Sequence, residues 1–408
     1  MKLISTTTEL AEACADLARN DYVAVDTEFM RDTTFWPKLC LIQLAGPGGD
    51  PVMVDSLAED LALTPFFDLM ANENVVKVFH AARQDIEIIY YHADLIPHPL
   101  FDTQIAAAVC GYGESVGYEA LVRKLAGAQI DKAHRFTDWS QRPLSESQLA
   151  YAAADVTHLR PVYEKLAAEV AQLGRSEWIR EEMDILTSPE TYRTEPEHAW
   201  KRLKMKARRP RELALLKELA AWREREAQAR DVPRGRVVKD DALYEIALHP
   251  PRSEADLGRL RAVPSGFERS ARGKEILRIA REVAELPETA LPALPRSDGP
   301  QRASGPVAEL LKVLLKQVAE QNKVAARLIA TSEDLEAIAG STSSDLPVLR
   351  GWRHEIFGQK ALALKRGELS LSVDGDRVVT ESRVPPELPE KPVRKSRGRR
   401  GRPRGNSA

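Results

Sequence analysis

Apolar runs of the kind that form buried strands are concentrated in the first 80 residues of this chain. They cover residues 22–25, 39–44, 52–54 and 75–79 and are rich in Val, Leu and Ile. Segments with the apolar spacing of helices lie between and after these runs. Strands that crowd early and then alternate with helices predict an α/β domain, in which a mixed sheet is covered by helices.

The predicted helices of this domain follow the apolar period of 3.6 residues. They cover residues 9–19, 63–71, 82–92, 103–109, 118–125 and 145–166. The last helix carries a start signal, because Ser145 is followed three residues later by Gln148, as in a capping box. The sequence therefore places a helix start at Ser145.

Strand signals nearly vanish beyond about residue 175, and the rest of the chain is helical between proline-rich breaks. A short hairpin is the exception, predicted over residues 369–379 with its turn at Asp374-Gly375. The predicted division is an α/β domain over residues 1–175, a helical linker over 176–207, a helical bundle over 208–288, a Pro-rich linker over 289–305, a second bundle over 306–372 and a basic, disordered tail over 373–408.

Positive charge is concentrated at the C-terminal end of an otherwise acidic chain. The net charge is −2, but residues 391–404 carry eight Lys or Arg side chains and no acid. Such a tail can bind a polyanion with salt-dependent affinity. It can equally serve as a solvated tail that aids solubility, and the sequence leaves both readings open.

The three cysteines form no even, closely spaced set that would indicate a disulfide framework or a zinc knuckle. The N-terminal residues show no apolar stretch typical of a signal peptide, and no run approaches the ~18 apolar residues that cross a bilayer. These features predict a cytoplasmic protein without a membrane partner.

Two acids interrupt the first apolar strand, in the sequence Val23-Ala-Val-Asp-Thr-Glu-Phe29. Side chains at positions i and i+2 of a strand lie on one face, so Asp26 and Glu28 are neighbours there. Two carboxylates at the end of a buried strand are costly to desolvate, and a bound divalent cation explains them. An acid that caps the next segment is the alternative, and this motif alone does not decide between them.

Three further residues join this pattern. Asp85 follows the apolar run 75–79 and falls in the first turn of a helix, where the helix dipole alone would favour an acid. Tyr151 and Asp155 share one helix face across three alanines, which is also compatible with an ordinary amphipathic helix. Together the four acids and Tyr151 form the ligand set of a two-metal phosphodiesterase site, with two Mg²⁺ or Mn²⁺ ions.

Several motifs give the chain a recognisable pattern along nearly its whole length. They are Asp26-Thr-Glu-Phe29, Trp36-Pro-Lys-Leu-Cys-Leu-Ile-Gln43, Asp85, Phe101-Asp-Thr-Gln104, the loop 131–144, and Tyr151 with Asp155. In this order and spacing, the motifs resemble the ribonuclease D family, in the tyrosine branch of the DEDD exonuclease superfamily. The second motif departs from the superfamily, which often places Asn and an aromatic residue where Arg83-Gln84 precede Asp85.

The resemblance implies an RNase H-like exonuclease domain over residues 1–175, followed by two all-α HRDC-like bundles. The implied activity is two-metal hydrolysis of RNA from its 3′ end with release of 5′-mononucleotides. The implied catalytic residues are Asp26, Glu28, Asp85, Tyr151 and Asp155, of which the four acids are the metal ligands. The expected partner is RNA with a free 3′ end, chiefly tRNA precursors, and the expected state is a monomer.

The helical half of the chain carries its own resemblance. Residues 208–288 resemble an HRDC domain, the helicase-and-ribonuclease-D C-terminal module, through Leu219-Ala-Ala-Trp-Arg-Glu-Arg-Glu226, Asp231-Val-Pro233 and Val238-Lys-Asp-Asp-Ala-Leu243. Residues 306–372 look like a second, more diverged copy. A plain helical bundle is the alternative for both.

Substrate contacts are predicted more loosely. Lys132, Arg135 and Arg142 are candidates for phosphate binding, and Trp139 or Phe29 for stacking on a terminal base. Thr27 and His80 complete the predicted substrate-binding set. A surface ion pair or core packing is an alternative for each of them.

Two rival functions stay open at this stage. A DNA-directed 3′–5′ exonuclease would use the same phosphodiester chemistry, so the acids do not discriminate between the sugars. A catalytically silent RNA-binding scaffold would be expected to have lost an acid, whereas all four acids and Tyr151 are present.

Overall fold

The structure is a computed structural model that describes residues 2–131, 134, 137–204, 207–294, 305–340 and 346–383. The basic segment 391–404, Lys132 and Arg135 lie outside the described residues. Within the described residues, no helix combines the length and the apolar character needed to cross a membrane.

The α/β domain is built on one six-stranded mixed sheet, which confirms the predicted fold class. Its strands are β1 (Lys2–Ile4), β2 (Tyr22–Met30), β3 (Lys38–Ala45), β4 (Val52–Val54), β5 (Val76–Phe79) and β6 (Leu100–Asp102), in the spatial order β1-β4-β3-β2-β5-β6. Strand β3 is antiparallel to β2 and β4, and the other pairs are parallel. Strands β1 and β6, of three residues each, were not predicted.

Helices cover both faces of this sheet. They are α1 (Thr7–Leu17), α2 (Thr64–Ala71), α3 (Arg83–Ala93), α4 (Thr103–Val109), α5 (Tyr118–Leu125), α6 (Glu146–Gln172) and α7 (Ser176–Leu186). The capping box at the start of α6 is confirmed, since the backbone N–H of Gln148 donates to the Ser145 hydroxyl and the Gln148 side chain accepts from the Ser145 N–H. Helix α6 ends at Gln172, beyond the predicted end at residue 166.

Strand β2 separates two apolar cores. Val23 and Val25 belong to the core under α3, whereas Tyr22 and Ala24 belong to the core under α6. Because side chains alternate along a strand, the next even-numbered positions of β2 also face α6. This places Asp26 on the α6 side of the sheet.

Asp102 fixes the loop that leads into α3. Its carboxylate accepts hydrogen bonds from the backbone N–H groups of Ala81, Ala82, Gln104 and Ile105, at 2.8–3.4 Å, and is 2% exposed. It thus caps α4 and also holds Ala81 at a φ of 60°, a left-handed conformation that is unfavourable for a residue with a side chain. One buried acid therefore sets where α3 begins.

Two helical bundles follow, each with its own apolar core. The first contains α8 (Pro210–Ala229), α9 (Arg234–Val237), α10 (Asp240–Leu248), α11 (Glu254–Gly258) and α12 (Ala271–Glu285). The second contains α13 (Gly305–Asn322), α14 (Ala326–Ile329), α15 (Ser332–Gly340), α16 (Gly351–Arg353) and α17 (Gln359–Arg366). Each bundle contacts the α/β domain.

The first bundle holds the loop that follows β2. The Asp231 carboxylate accepts the backbone N–H groups of Phe35 and Trp36 at 3.0 and 2.9 Å, and the Arg234 guanidinium lies 4.4 Å from the Phe35 ring centroid. The second bundle docks elsewhere, where Trp352 stacks on Trp178 with ring centroids 4.5 Å apart.

The predicted C-terminal boundary is wrong. Strands β7 (Leu369–Asp374) and β8 (Arg377–Ser382) form the predicted hairpin, and β8 extends it to Ser382. A domain end at residue 372, with disorder from residue 373, would cut this hairpin. The backbone pairing of two strands explains why ordered structure continues past the last helix.

Replacement of Asp102 by Ala should destabilise the α/β domain by about 2–4 kcal/mol, because four backbone N–H groups lose a charged acceptor. Ser145→Ala is the matched control, since it removes one helix cap and should cost about 1 kcal/mol. Urea unfolding of the two variants measures both values. Equal losses in the two variants would contradict the role given to Asp102.

Candidate active site

Three carboxyl groups meet on the α6 side of the sheet. Asp26 and Glu28 project from β2, and Asp155 projects toward them from α6. One carboxylate oxygen from each lies within 4.8 Å of the others, a spacing that allows them to share a metal ion. The structure therefore brings together the i, i+2 pair of the strand and the acid of the helix, as predicted.

Asp85 reaches the same region from the edge of β2. Strand β5 pairs with β2 only as far as Ala24, so the continuation of β2 has no strand on that side, and α3 begins nearby. The Thr27 hydroxyl donates to Asp85 Oδ1 at 2.5 Å. Asp85 is not one of the three acids within 4.8 Å, but its charge raises the pKa of Glu28.

Burial and repulsion between neighbouring carboxylates make ionisation of these carboxyl groups unfavourable in the metal-free chain. Burial raises the pKa of Asp26 and of Asp85 well above the usual range, and each is raised further by a neighbouring carboxylate. The same two causes raise the pKa of Glu28. Burial raises the pKa of Asp155 to about 7, although a hydrogen bond from Tyr151 lowers it in part. The cluster is thus unfavourable as four anions unless positive charge accompanies it.

Gln43 gives an independent sign of a missing polar partner. It lies directly opposite Asp26 in the β2–β3 pairing, so its side chain shares the face of the acids. The residue is fully buried, and neither amide atom has a hydrogen-bond partner among the described residues. A hydrated divalent cation fits both observations, because it takes hard oxygen ligands and keeps bound water.

A cleft of about 550 Å³ opens beside the acids. Asp26, Asp155 and Tyr151 line it together with His80, whose Nδ1 lies 3.0 Å from the Thr103 hydroxyl. A substrate end placed in this cleft would meet the acids and the Tyr151 hydroxyl at once.

The cleft is also lined by residues that were not predicted as site residues. Tyr118 lines the cleft and donates its hydroxyl to the backbone carbonyl of Asp155, and Gln104 lines it from the start of α4. Gln104 belongs to the motif Phe101-Asp-Thr-Gln104, which the sequence singled out without giving Gln104 a role in the site. Tyr118 carries no such signal, because its position depends on how α5 packs against α6.

Two predicted substrate contacts are wrong. The Arg142 guanidinium donates to both Asp55 oxygens and to the carbonyls of Cys40, Trp139 and Gln141, so it ties its loop to the sheet. Trp139 is 2% exposed in the core under α6, so neither ring face is open to a base.

The other predicted contacts differ in their placement. His80 lines the cleft, whereas Thr27 is buried and its hydroxyl is engaged with Asp85. Phe29 is half-buried against the core under α3, on the face of β2 away from the three acids. Of the predicted set, His80 is the described residue that the structure places in the cleft.

The chain is similar to known proteins over nearly its full length. The family of 3′–5′ exonuclease domains matches residues 1–171, and the HRDC domain family matches residues 212–279. Ribonuclease D of Nitrobacter hamburgensis is 53% identical over 386 residues, which are 94% of this chain and 100% of that protein. Ribonuclease D of Bartonella henselae is 48% identical and covers 93% of this chain and 94% of its own.

Solved structures agree with the sequence relatives. The structure of Escherichia coli RNase D, described as an exoribonuclease involved in structured RNA processing, matches with a TM-score of 0.81 at 30% identity, over 90% of this chain and 98% of that one. The catalytic core of RRP6 from Trypanosoma brucei shares the fold, with a TM-score of 0.53 at 22% identity over 69% of this chain and 79% of that one. The chain therefore belongs to the ribonuclease D family of metal-dependent 3′–5′ exoribonucleases.

Proposed function

We propose that Asp26, Glu28, Asp85 and Asp155 hold two divalent cations, Mg²⁺ or Mn²⁺, and that this site hydrolyses the last phosphodiester bond at the 3′ end of RNA. The observation that carries the proposal is the meeting of three carboxylates within 4.8 Å, two of them on strand β2 and one on helix α6. When bound, the cations would activate the attacking water and neutralise charge on the departing 3′ oxygen.

Tyr151 acts beside the acids. Its hydroxyl donates to Asp155, one helical turn away, and its side chain lines the cleft in which the 3′ end would lie. From this place the hydroxyl orients the Asp155 carboxylate and can hold a water molecule for attack on the phosphorus atom. Trp139 supports the position of Tyr151, with ring centroids 6.1 Å apart.

Supporting residues hold the acids in register. Thr27 fixes Asp85 by its hydroxyl, and Tyr118 fixes the backbone of α6 at Asp155. Neither contact involves Arg83 or Gln84, the two residues before Asp85 that differ from the superfamily pattern. The hydroxyl of Thr27 thus supplies local support for Asp85 in this chain.

We propose RNA with a free 3′ end, and tRNA precursors in particular, as the substrate of a monomeric, cytoplasmic enzyme. The E. coli relative, described as acting in structured RNA processing, supports this class. The free, buried thiols of the three cysteines fit a reducing compartment. Degradation of matched RNA and DNA oligonucleotides tests the sugar preference, and equal or faster loss of DNA would contradict it.

We also propose that the second bundle is a diverged HRDC copy. Its first three helices have 18, 4 and 9 residues, against 20, 4 and 9 in the first bundle. The turn after the long helix is the same, with a positive φ at Asp231 (46°) and at Lys323 (49°). The backbone N–H of the next residue, Val232 in the first bundle and Val324 in the second, donates to the carbonyl five residues earlier at 3.0 Å.

Asp26→Asn should lower the rate of RNA cleavage by about 10²–10³-fold or more, because one charge of the cation site is lost. Without divalent metal, this variant should unfold at a higher temperature than the native chain, since one repelling carboxylate is gone. Mg²⁺ or Mn²⁺ should raise the melting temperature of the native chain and do so much less for the variant. Equal metal-induced shifts would place the cations elsewhere.

The metal-free chain should lose stability as pH rises. The pKa of Asp155 is raised from 3.8 to about 7 in the folded state, and the pKa of Asp26 is also raised. The unfolded chain therefore ionises first, and the free energy of unfolding falls between about pH 4 and about pH 7. Chemical denaturation across this range measures the fall, which should be smaller in Asp26→Asn. A parallel pH profile in that variant would contradict the assignment.

Tyr151→Phe should lower kcat by about 10–100-fold and leave the melting temperature nearly unchanged, because the ring stays and only the hydroxyl is lost. Tyr112→Phe is the matched control, since the Tyr112 hydroxyl also donates to an acid of α6, Glu169, but outside the site. Steady-state kinetics on a single-stranded RNA separate the two. A change confined to KM would mean that Tyr151 binds substrate and does not take part in the chemical step.

A further inference from the structure

The first bundle contains a cavity of about 360 Å³ that the proposed reaction does not use. Its floor is apolar and consists of Val238, Ala242, Ile246 and Val263, all of them buried. The half-buried ring of Phe267 also lines it. The volume lies within the range of small-ligand sites, roughly 300–1,000 Å³.

The rim of this cavity is cationic. Arg236, Lys239, Arg261 and Arg272 line it, and no Asp or Glu does. Among the described residues, the side chains of Arg236, Lys239 and Arg261 have no hydrogen-bond or ion-pair partner. Arg272 holds the wall, because its Nη1 donates to the carbonyls of Arg236 and Val237 at 3.0 and 3.2 Å.

Nearby acids are engaged with partners of their own. Asp240 forms an ion pair with Arg223 at 2.5 Å. The Glu245 carboxylate accepts the backbone N–H groups of Arg261 and Ala262 at 3.0 and 2.6 Å. The hydrogen bond from the Ala262 N–H lowers the pKa of Glu245, and attraction to the charge of Arg261 lowers it further. Among the described residues, no carboxylate lines the cavity itself, so its rim keeps a net positive charge.

We propose that this cavity binds one nucleotide of a single-stranded segment of the RNA substrate. The base lies on the apolar floor against Phe267, and the flanking phosphates lie on Arg236, Lys239 and Arg261. Apolar surface with an aromatic ring suits any base, and unpaired cations suit the phosphates on either side of it. The inference rests on the proposed function only in taking RNA as the substrate.

The second bundle serves as an internal comparison. The third residue of α14 is Leu328, and the third residue of the corresponding helix α9 is Arg236. The residue before α15 is Thr331, and the residue before the corresponding helix α10 is Lys239. Two of the three phosphate-binding cations are thus absent from these corresponding positions. The nucleotide site is a property of the first bundle.

Binding of a fluorescent single-stranded oligonucleotide RNA to the full chain tests the proposal, with Asp26→Asn present in every variant to suppress cleavage. The test variant carries Arg236→Ala, Lys239→Ala and Arg261→Ala. The matched control carries Arg252→Ala, Lys274→Ala and Arg281→Ala, which remove the same charge from exposed positions outside the cavity. Fluorescence anisotropy gives Kd between 50 and 200 mM salt, and thermal melts verify that both variants are folded.

The test variant should bind at least about 10-fold more weakly at low salt. Its slope of log Kd against log salt should be smaller by about 1.4, since each of the two phosphates that flank the bound nucleotide contributes roughly 0.7. The control should keep the slope and stay within about twofold in Kd. Equal slopes in the two variants would overturn the proposal. RNA shortening by the Asp26→Asn chain at the rate of the native chain would instead count against the proposed active site, so the two failures are distinguishable.

Phe267 tests the base contact separately. Phe267→Ala should raise Kd about fivefold or more without changing the salt slope, and Phe267→Tyr should restore binding because it keeps the ring. If the Phe267→Ala variant melts early, Phe267→Leu replaces it in the test, because Leu keeps an apolar side chain without the ring. The Leu variant should bind as weakly as the Ala variant. Unchanged Kd in the Leu variant, or competition by polyglutamate as strong as that by unlabelled RNA, would overturn a nucleotide site.

Discussion

Repulsion among the carboxyl groups of β2 and α6 is the constraint on which the site depends. One carboxylate oxygen from each of Asp26, Glu28 and Asp155 lies within 4.8 Å of the others. Burial raises the pKa of all three, and neighbouring carboxylates raise it further for Asp26 and Glu28. Such an arrangement lowers the stability of the metal-free chain, and a divalent cation reverses its effect. The fold around it accordingly uses rigid elements, a central strand and a helix of 27 residues, to hold the acids against their repulsion.

The rest of the molecule supports these elements from a distance. Asp102 fixes the loop before α3 and so the position from which Asp85 reaches the site. Asp231 of the first bundle accepts two N–H groups of the loop that follows β2, which links the helical half of the chain to the strand that bears Asp26 and Glu28. The same bundle carries the cationic cavity, so the proposed nucleotide site and the strand that bears Asp26 and Glu28 are linked through Asp231.

The sequence predicted the parts of the site that depend on local geometry. The i, i+2 pair on a strand and the i, i+4 pair on a helix fix which side chains share a face, and Asp26, Glu28 and Asp155 do meet.

Residues whose roles depend on distant partners were not predictable in this way. Arg142 has the charge of a phosphate ligand, but its donors face Asp55, 87 residues away. Trp139 was taken as a stacking surface, whereas the packing of α6 buries it, and strands β1 and β6 are too short to show a period.

Anomalous scattering from crystals that contain Mn²⁺ and a short RNA oligonucleotide tests the central claim most directly. We expect two Mn²⁺ peaks bound to oxygens of Asp26, Glu28, Asp85 and Asp155, with the 3′ end of the RNA in the cleft beside Tyr151. Manganese bound at other residues, or an RNA 3′ end lying away from these acids, would contradict it.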